Sequence, residues 1–505
     1  MSSNHHHCCA SPDPESPVSR RGFLTAGMAA SALPAASASL LGDPARQQPI
    51  RLALRVQPVL VYRIPERRTA TSWREWGGLQ TQQEVAAEKE RIGRELASMR
   101  ATADFPLEIL PLAIAATLDE AGAIAQGDSD VIISYAAGGD TRIFETLAPP
   151  GKWSLMFLRH RSGPVYLWYE NAHNRFLRKT VDEYGQPGSD VYDVVVDSQP
   201  DVLMRLRALA ALKNTFGKRI VAVGGAAGFG AGGRIAPYLA KEIWKMDIQT
   251  EPYPGLAARI KRAKANSALV KRCHANAEKY LQQKDVTLET TREFVQNAFV
   301  LTEVFRDLLD EAKTDTITIN GCMGTIMAMS ETTACLPLSL LNDEGYMAFC
   351  ESDFVVIPSG VLLHYISGKP VFLNDPTYPH HGMVTIAHCT APRKMDGQHD
   401  EPVRLLTHFE SDYGAAPKVA MRKGQKVTNL IPHFSGRRYV GFTGEVLDNP
   451  FMPICRSQVD ISIEGNFDKL LVERRGFHWM TSYGDYLQES KYALRKAGVE
   501  MMEIA

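Results

Sequence analysis

The chain has few cysteines, almost no net charge and no long apolar run in its body, and each shortage excludes a class of protein. Only 8 of 505 residues are cysteine, and no two form a CxxC pair, so neither a disulfide scaffold nor a structural zinc site is expected. The formal net charge is −1, without a long basic block, so nucleic acid is not an expected partner. Past residue 41, no apolar run approaches the roughly 20 residues that span a bilayer, so stable membrane insertion is not expected.

The N-terminal region predicts export by the twin-arginine route. Arg20 and Arg21 precede a mildly apolar stretch rich in Ala and Ser, and small residues at 36–38 offer a cleavage site. This order is typical of a signal peptide, here over residues 1–38, in its twin-arginine variant. The twin-arginine translocase is therefore an expected partner, and the expected location is periplasmic or otherwise extracytoplasmic. Because such a chain folds in a reducing cytoplasm, its six later cysteines are expected to be reduced core residues.

Beyond the leader, the pattern predicts an α/β protein with a change of architecture near residue 350. Strands and helices first alternate, which indicates Rossmann-like layers with mostly parallel sheets. Short strands separated by turns follow, which indicates an antiparallel sheet or small barrel. We expect an N-terminal Rossmann-like domain over 48–215, a second α/β domain over 216–345 and a C-terminal domain over 346–505. The clearest expected strands are 131–135, 153–158, 192–196, 219–223 and 316–320, and the clearest expected helices are 79–100, 202–212, 235–246 and 288–309.

A glycine-rich turn between an expected strand and an expected helix is one candidate site. Gly228–Gly233 fits the pattern GxGxxG, in which backbone amides cradle a pyrophosphate. Only Asp247 or Glu251 stands near the distance at which an acidic residue would complete such a site, and neither clearly ends a second strand. A structural turn that needs glycine for close backbone packing is the favoured interpretation. A dinucleotide-dependent oxidoreductase is therefore a secondary hypothesis.

Carboxylates and imidazoles of the last third form the second candidate site. They are Glu331, Glu351, Asp353, His388 and His478. Oxygen ligands with a neutral imidazole suit an ion such as Mn²⁺ or Mg²⁺. Glu351 and Asp353 follow an apolar stretch, so we expect both on one side of a pleat at a strand end, where one of them can face a metal. Judged from spacing alone, a single Glu or His more often lies on the surface, or in the core with its hydrogen bonds satisfied, than in a metal site.

Several short segments of the last third occur in a specific order. They are CLPLSLLNDEG at 335–345, CESD at 350–353, GKPVFLND at 368–375, AHC at 387–389, CR at 455–456, FHW at 477–479 and YGDY at 483–486. In this order they resemble the L-fucose isomerase and L-arabinose isomerase superfamily, in its fucose isomerase-like branch. So many segments in the family's order are more specific than any one of them.

That resemblance implies a metal-dependent aldose–ketose isomerase that acts on a free monosaccharide through an enediol. It implies two Rossmann-like domains, a C-terminal domain with an antiparallel β-barrel, a divalent metal that is commonly Mn²⁺, and a homo-oligomer, either trimer or hexamer. Glu331 and Asp353 would be metal ligands and acid/base groups, and His478 a third ligand. His388 would lie near the sugar, and Glu351 is the alternative to Asp353.

Two other functions stay open at the level of sequence. An exported sugar-binding homologue could keep the fold and lack the catalytic base. The oxidoreductase hypothesis predicts instead that NAD stays bound through purification, because an exported enzyme must carry its cofactor along.

Overall fold

A computed structural model of the chain describes residues 51–505. The expected signal peptide over 1–38 lies outside the described residues. Within the described residues, no helix combines the length and the apolar character needed to cross a membrane.

The first sheet is parallel and has six strands, in the order β2-β1-β4-β5-β6, with β3 also paired to β1. These strands are β1 (Leu54–Val61), β2 (Leu107–Ile109), β3 (Ala113–Ala115), β4 (Val131–Ala136), β5 (Trp153–Leu158) and β6 (Val194–Val196). The helices of this region are α1 (Gln82–Thr102), α2 (Leu118–Gln126), α3 (Thr141–Thr146), α4 (Trp168–Ala172) and α5 (Gln199–Thr215). Every residue of β4 is buried, as in a parallel strand covered on both faces.

The second sheet is also parallel and has four strands, in the order β11-β10-β7-β8. Its strands are β7 (Arg219–Val223), β8 (Asp247–Glu251), β10 (Thr316–Ile319) and β11 (Met347–Cys350), whereas β9 (Val286–Leu288) pairs elsewhere. The helices here are α6 (Ala236–Trp244), α7 (Tyr253–Ala265), α8 (Ser267–Leu281), α9 (Arg292–Ala312), α10 (Cys322–Ser330) and α11 (Cys335–Asp343). Since the strands are parallel, the loops after β7, β10 and β11 meet at one edge, where ligands of such sheets gather.

The last part of the chain closes an antiparallel barrel. Its elements are α12 (Ile357–Ser367), β12 (Phe372–Pro376), β13 (Met383–His388), β14 (Val403–His408), β15 (Tyr413–Val419), β16 (Lys426–Pro432), β17 (Arg438–Asp448), β18 (Ser457–Ser462), α13 (Phe467–Glu473), β19 (Trp479–Tyr483), α14 (Leu487–Lys496) and β20 (Glu500–Glu503). Six strands form the ring β12-β13-β18-β17-β16-β19, which closes back onto β12. Strand β20 adds to β17 in parallel, and β15-β14-β9 form a separate small sheet.

The structure confirms the expected α/β class, the parallel Rossmann-like sheets and the antiparallel barrel. The strand expected over 192–196 is shorter, because Val191–Asp193 is a 3-10 turn and only β6 is extended. Strand β11 follows the domain boundary expected at residue 345, yet it pairs with β10 in the second sheet. The expected domain boundaries stay predictions.

Candidate metal centre

Three neighbouring barrel strands bring a carboxylate and two imidazoles to one point. Strand β12 lies between β13 and β19, and Asn374 of β12 pairs with Trp479, the residue after His478. The same strands therefore place Asp375, His388 and His478 side by side at their ends. One ligand atom from each of these three side chains lies within 4.8 Å of the others. Trp479 is fully buried, which fixes the start of β19 and hence the position of His478.

The loop after β11 adds a second carboxylate. Glu351 and Ser352 leave the strand with left-handed backbone, at φ of +65° and +46°, so the pleat expected to place Glu351 and Asp353 on one side does not continue. Glu351 turns toward the imidazoles, with Oε2 3.3 Å from Nε2 of His478 and Oε1 3.7 Å from Nε2 of His388. Left-handed backbone at residues other than glycine is uncommon and concentrates at functional sites.

Asp353 lies behind His478 and faces away from the point that the other side chains share. Its Oδ2 is 2.7 Å from Nδ1 of His478, and its Oδ1 accepts hydrogen bonds from the backbone amides of Phe229 and Val355. This contact aims Nε2 of His478 at Glu351 and at Asp375, 3.2 Å away. A carboxylate that orients a metal-binding histidine is a common arrangement. The resemblance implies that Asp353 is a metal ligand, whereas in the structure Asp353 contacts Nδ1 of His478.

The electrostatics of this cluster favour a cation. Burial lowers the pKa of His388, but the nearby carboxylates of Glu351 and Asp375 outweigh burial and raise that pKa to about 9. Burial likewise lowers the pKa of His478, but its hydrogen bond to Asp353 and the nearby carboxylates of Asp375 and Glu351 outweigh burial and raise that pKa to about 11. Each imidazole is therefore drawn toward positive charge by the surrounding carboxylates.

Two buried nitrogens point into the cluster without a hydrogen-bond partner. They are Nε2 of His388 and Nε2 of His478, on side chains that belong to the buried set. An unsatisfied buried polar atom costs about 1–3 kcal/mol, so native folds keep few of them. Two imidazole nitrogens together with the carboxylates of Glu351 and Asp375 form a donor set that suits a divalent first-row metal ion. The residues present therefore fit the metal that the resemblance implies.

Access from solvent passes along the carboxylates rather than the imidazoles. The side chains of Glu351 and Asp375 are 41% and 32% exposed. Burial raises the pKa of Glu351, but the neighbouring imidazoles of His388 and His478 outweigh it and hold that pKa well below its usual range. Glu351 is thus an anion that a small molecule can reach.

Two aromatic rings border the cluster on one side. Phe229 and Phe477 stack with ring centroids 3.6 Å apart, and both remain partly exposed. The edge of the pair meets His478, with centroids 5.4 Å from Phe229 and 4.8 Å from Phe477. A polar, acidic site therefore has an apolar wall beside it.

The glycine-rich turn Gly228–Gly233 belongs to this site. The amide of Ala227 donates to the carbonyl of Ser352, and the amide of Phe354 donates to the carbonyl of Ala227. A Cβ on Gly228 would lie 2.1 Å from the carbonyl oxygen of Gly233, so close backbone packing requires glycine there. Helix α6 begins only at Ala236. The turn thus helps to hold Asp353 in place, because the amide of Phe229 donates to its carboxylate.

Glu331 is not brought to the cluster. It follows α10 with left-handed backbone, its side chain is 61% exposed, and its Oε2 lies 2.8 Å from Nζ of Lys264. Its backbone carbonyl accepts a hydrogen bond from Asn297. Of the residues predicted from sequence, the structure therefore assembles Glu351, Asp353, His388 and His478 and leaves Glu331 elsewhere.

Two residues of the cluster, Asp375 and Cys350, have no expected role in the site from the sequence. Asp375 ends the segment GKPVFLND, shortly after the apolar run VFL, and a carboxylate near a strand end is the signal that could identify it. The sequence predicts Cys350 only as a reduced core residue. It is buried, as are four of the other five cysteines among the described residues, and none of these six forms a disulfide.

No protein-family model matches the chain, and no curated protein matches its sequence.

Proposed function

We propose that this protein is a metal-dependent aldose–ketose isomerase that acts on a free monosaccharide. The observation that carries the proposal is the convergence of Glu351, Asp375, His388 and His478, with two buried imidazole nitrogens that make no hydrogen bond. The order of the segments in the last third supports it. So does the barrel, which joins parallel sheets as the fucose isomerase-like proteins would lead us to expect.

Glu351, Asp375, His388 and His478 would hold the divalent ion, which the resemblance suggests is Mn²⁺. When bound, such an ion acts as a Lewis acid that stabilises negative charge on the O1 and O2 oxygens of a sugar. Asp353 accepts a hydrogen bond from Nδ1 of His478 and thereby keeps Nε2 turned toward the ion site. This requirement explains why Asp353 is buried and triply hydrogen-bonded.

Aldose–ketose conversion moves a proton between C2 and C1, and a carboxylate of this chain must carry it. Glu351 is our candidate, because it is anionic, lies at the cluster and has the largest exposed fraction among the four metal-site side chains. It would take the proton from C2 and return it to C1, while the proton on O2 passes to O1 through a general acid/base group. The aromatic pair Phe229 and Phe477 would lie against the less polar face of the sugar.

The wider organisation follows from the same proposal. We infer two Rossmann-like domains followed by a C-terminal domain that contains the barrel, assembled as a trimer or hexamer. We also infer twin-arginine export to the periplasm or another extracytoplasmic space, with the metal loaded in the cytoplasm before transport. Loading before export would explain why folding precedes it.

A second candidate function is an exported sugar-binding homologue without catalysis. The position of Glu331 favours it, because the resemblance makes this residue an acid/base group and its carboxylate instead pairs with Lys264. If Glu331 is the base in catalytic relatives, this protein would bind a metal ion and a sugar without converting the sugar.

One experiment separates these proposals. Purified protein is reconstituted with Mn²⁺ and incubated with a panel of aldoses, and ketose formation is measured by NMR for the wild type, Glu351→Gln and Glu331→Gln. We expect one or more aldoses to be converted by the wild type and by Glu331→Gln, but not by Glu351→Gln. Loss of activity in Glu331→Gln alone would overturn our assignment of the base. Sugar binding without any conversion would favour the binding homologue.

A further inference from the structure

A thiol shares the metal cluster with the imidazoles and carboxylates. Single ligand atoms of Cys350, Glu351 and His388 all lie within 4.8 Å of one another. This triad and the group of Asp375, His388 and His478 have His388 in common. Nε2 of His388 is buried and has no hydrogen-bond partner. A sulfur atom therefore stands beside a nitrogen that is available to a metal.

The backbone turn after β11 is what brings this thiol and its neighbour together. Successive residues of a strand normally face opposite sides, so Cys350 and Glu351 would point apart in an extended chain. The left-handed backbone at Glu351 and Ser352 reverses the chain and lets both donors face His388. Such backbone in residues with a side chain costs free energy, and the surrounding fold must stabilise it.

Sulfur changes which ion the donor set prefers. Carboxylate and imidazole ligands alone suit Mn²⁺ and similar ions, whereas a thiolate selects softer or borderline ions such as Zn²⁺ and Co²⁺. A divalent ion supplies the positive charge that a thiolate at Cys350 needs, because a thiol that coordinates a metal ion loses its proton.

We propose that Cys350 is a ligand of the metal ion, and that the site therefore takes a thiophilic divalent ion, Zn²⁺ or Co²⁺, in preference to Mn²⁺. Binding breaks the S–H bond, forms the metal–sulfur bond and releases the proton to solvent, without a change of oxidation state. This inference rests on the metal site of the proposed function, and it changes the class of ion that the site holds.

The first test uses the unaltered full chain loaded with Zn²⁺. X-ray absorption at the zinc edge distinguishes a sulfur neighbour at about 2.3 Å from nitrogen and oxygen neighbours at about 2.0–2.2 Å. We expect one sulfur in the zinc shell. Zinc bound by nitrogen and oxygen alone would overturn the inference and leave the proposed metal site standing. Failure of the protein to bind any divalent ion would overturn both.

The second test uses Co²⁺, whose thiolate complexes absorb in the near ultraviolet. We expect this absorption in the cobalt-loaded wild type and its loss in Cys350→Ser, with the visible cobalt bands retained. The matched control is Cys273→Ser, which removes a buried thiol from α8 and should leave both absorptions unchanged. An unchanged ultraviolet absorption in folded Cys350→Ser would contradict the inference. If circular dichroism shows that Cys350→Ser does not fold, the zinc measurement on the wild type decides.

Discussion

At the scale of single residues, Asp353 and Asp375 differ in the atoms they contact, although both are carboxylates beside His478. Asp375 faces Nε2 and Asp353 faces Nδ1. We therefore expect Asp375→Asn to abolish metal retention. Asp353→Asn should weaken metal binding by about 10–100-fold without abolishing it, the loss typical of residues that orient a ligand. Isothermal titration calorimetry with Mn²⁺ and Zn²⁺ measures both.

The side chain introduced by Asp353→Asn cannot make all three of the hydrogen bonds that Asp353 makes. Its amide group would place N–H donors opposite either His478 or the backbone amides of Phe229 and Val355. A reduced affinity is therefore expected even if the fold is intact. Equal loss in Asp353→Asn and Asp375→Asn, with unchanged circular dichroism, would make Asp353 a ligand and refute the division of roles.

Asp343, outside the metal cluster, gives the protein a dependence of stability on pH. Burial raises the pKa of its carboxyl to about 7, although the backbone amide of Lys394 donates to it. The folded state therefore favours the neutral form. Its contribution to stability is fully present below the unfolded pKa of about 4 and is lost as pH rises through 7.

Asp343→Asn should consequently stabilise the protein at pH 8 and above and leave the free energy of unfolding almost unchanged at pH 4. Asparagine keeps the carbonyl oxygen that accepts from Lys394. The upper limit of the gain is about 4 kcal/mol for a shift of about three pKa units, and the partly exposed side chain will make it smaller. Thermal unfolding over this pH range measures it. A difference that is constant with pH would show that ionisation of Asp343 is not the cause.

At the scale of elements, the turn between β7 and α6 supports the site through its backbone. Gly228→Ala would drive a Cβ into the carbonyl of Gly233, so the turn must move and its contact with Asp353 must weaken. We expect a loss of about 1–3 kcal/mol in stability, of the size seen for overpacked positions, together with weaker metal binding. Gly324→Ala in α10 is the control, because a Cβ there meets nothing within 4 Å.

Gly324→Ala should be neutral or slightly stabilising, since alanine is preferred to glycine inside a helix. Denaturant unfolding and metal titration of the two variants give the comparison. Normal metal affinity in a destabilised Gly228→Ala protein would show that the turn does not support the metal site.

Sequence patterns located the elements with strong local signals. Strand β4 is almost entirely apolar, and α9 has apolar residues at helical spacing. Strand β19 is absent from the expected strands, because its sequence WMTSY is neither an apolar run nor an alternation of apolar and polar residues. The closure of the barrel depends on pairings between strands far apart in sequence, which no local pattern contains.

The site was predictable only in part, for a related reason. His388, His478 and Asp375 all stand in segments that resemble a known family, but the closeness of Asp375 to the two imidazoles follows from the pairing of β12 with β13 and β19. The choice between Glu351 and Asp353 depends on a left-handed turn at two residues that are not glycine. No propensity rule predicts that turn, because tertiary contacts hold it.

At the scale of the whole molecule, the metal would connect two sheets. Glu351 follows a strand of the second parallel sheet, and Asp375, His388 and His478 lie on the barrel. An ion held by both should stabilise the folded chain, by about 2.7 kcal/mol at a free concentration 100 times its Kd. We expect the unfolding temperature to rise with Mn²⁺ or Zn²⁺ and to fall on chelation, with no response in His478→Ala. The same response in His478→Ala would place the ion elsewhere.

Elemental analysis of the purified full chain tests the central claim most directly. The account predicts about one equivalent of a divalent transition metal per chain in the wild type and in Glu331→Gln, and almost none in Asp375→Asn or His478→Ala. Metal that is absent from the wild type after reconstitution, or that persists in both Asp375→Asn and His478→Ala, would contradict the claim that these residues form a metal centre.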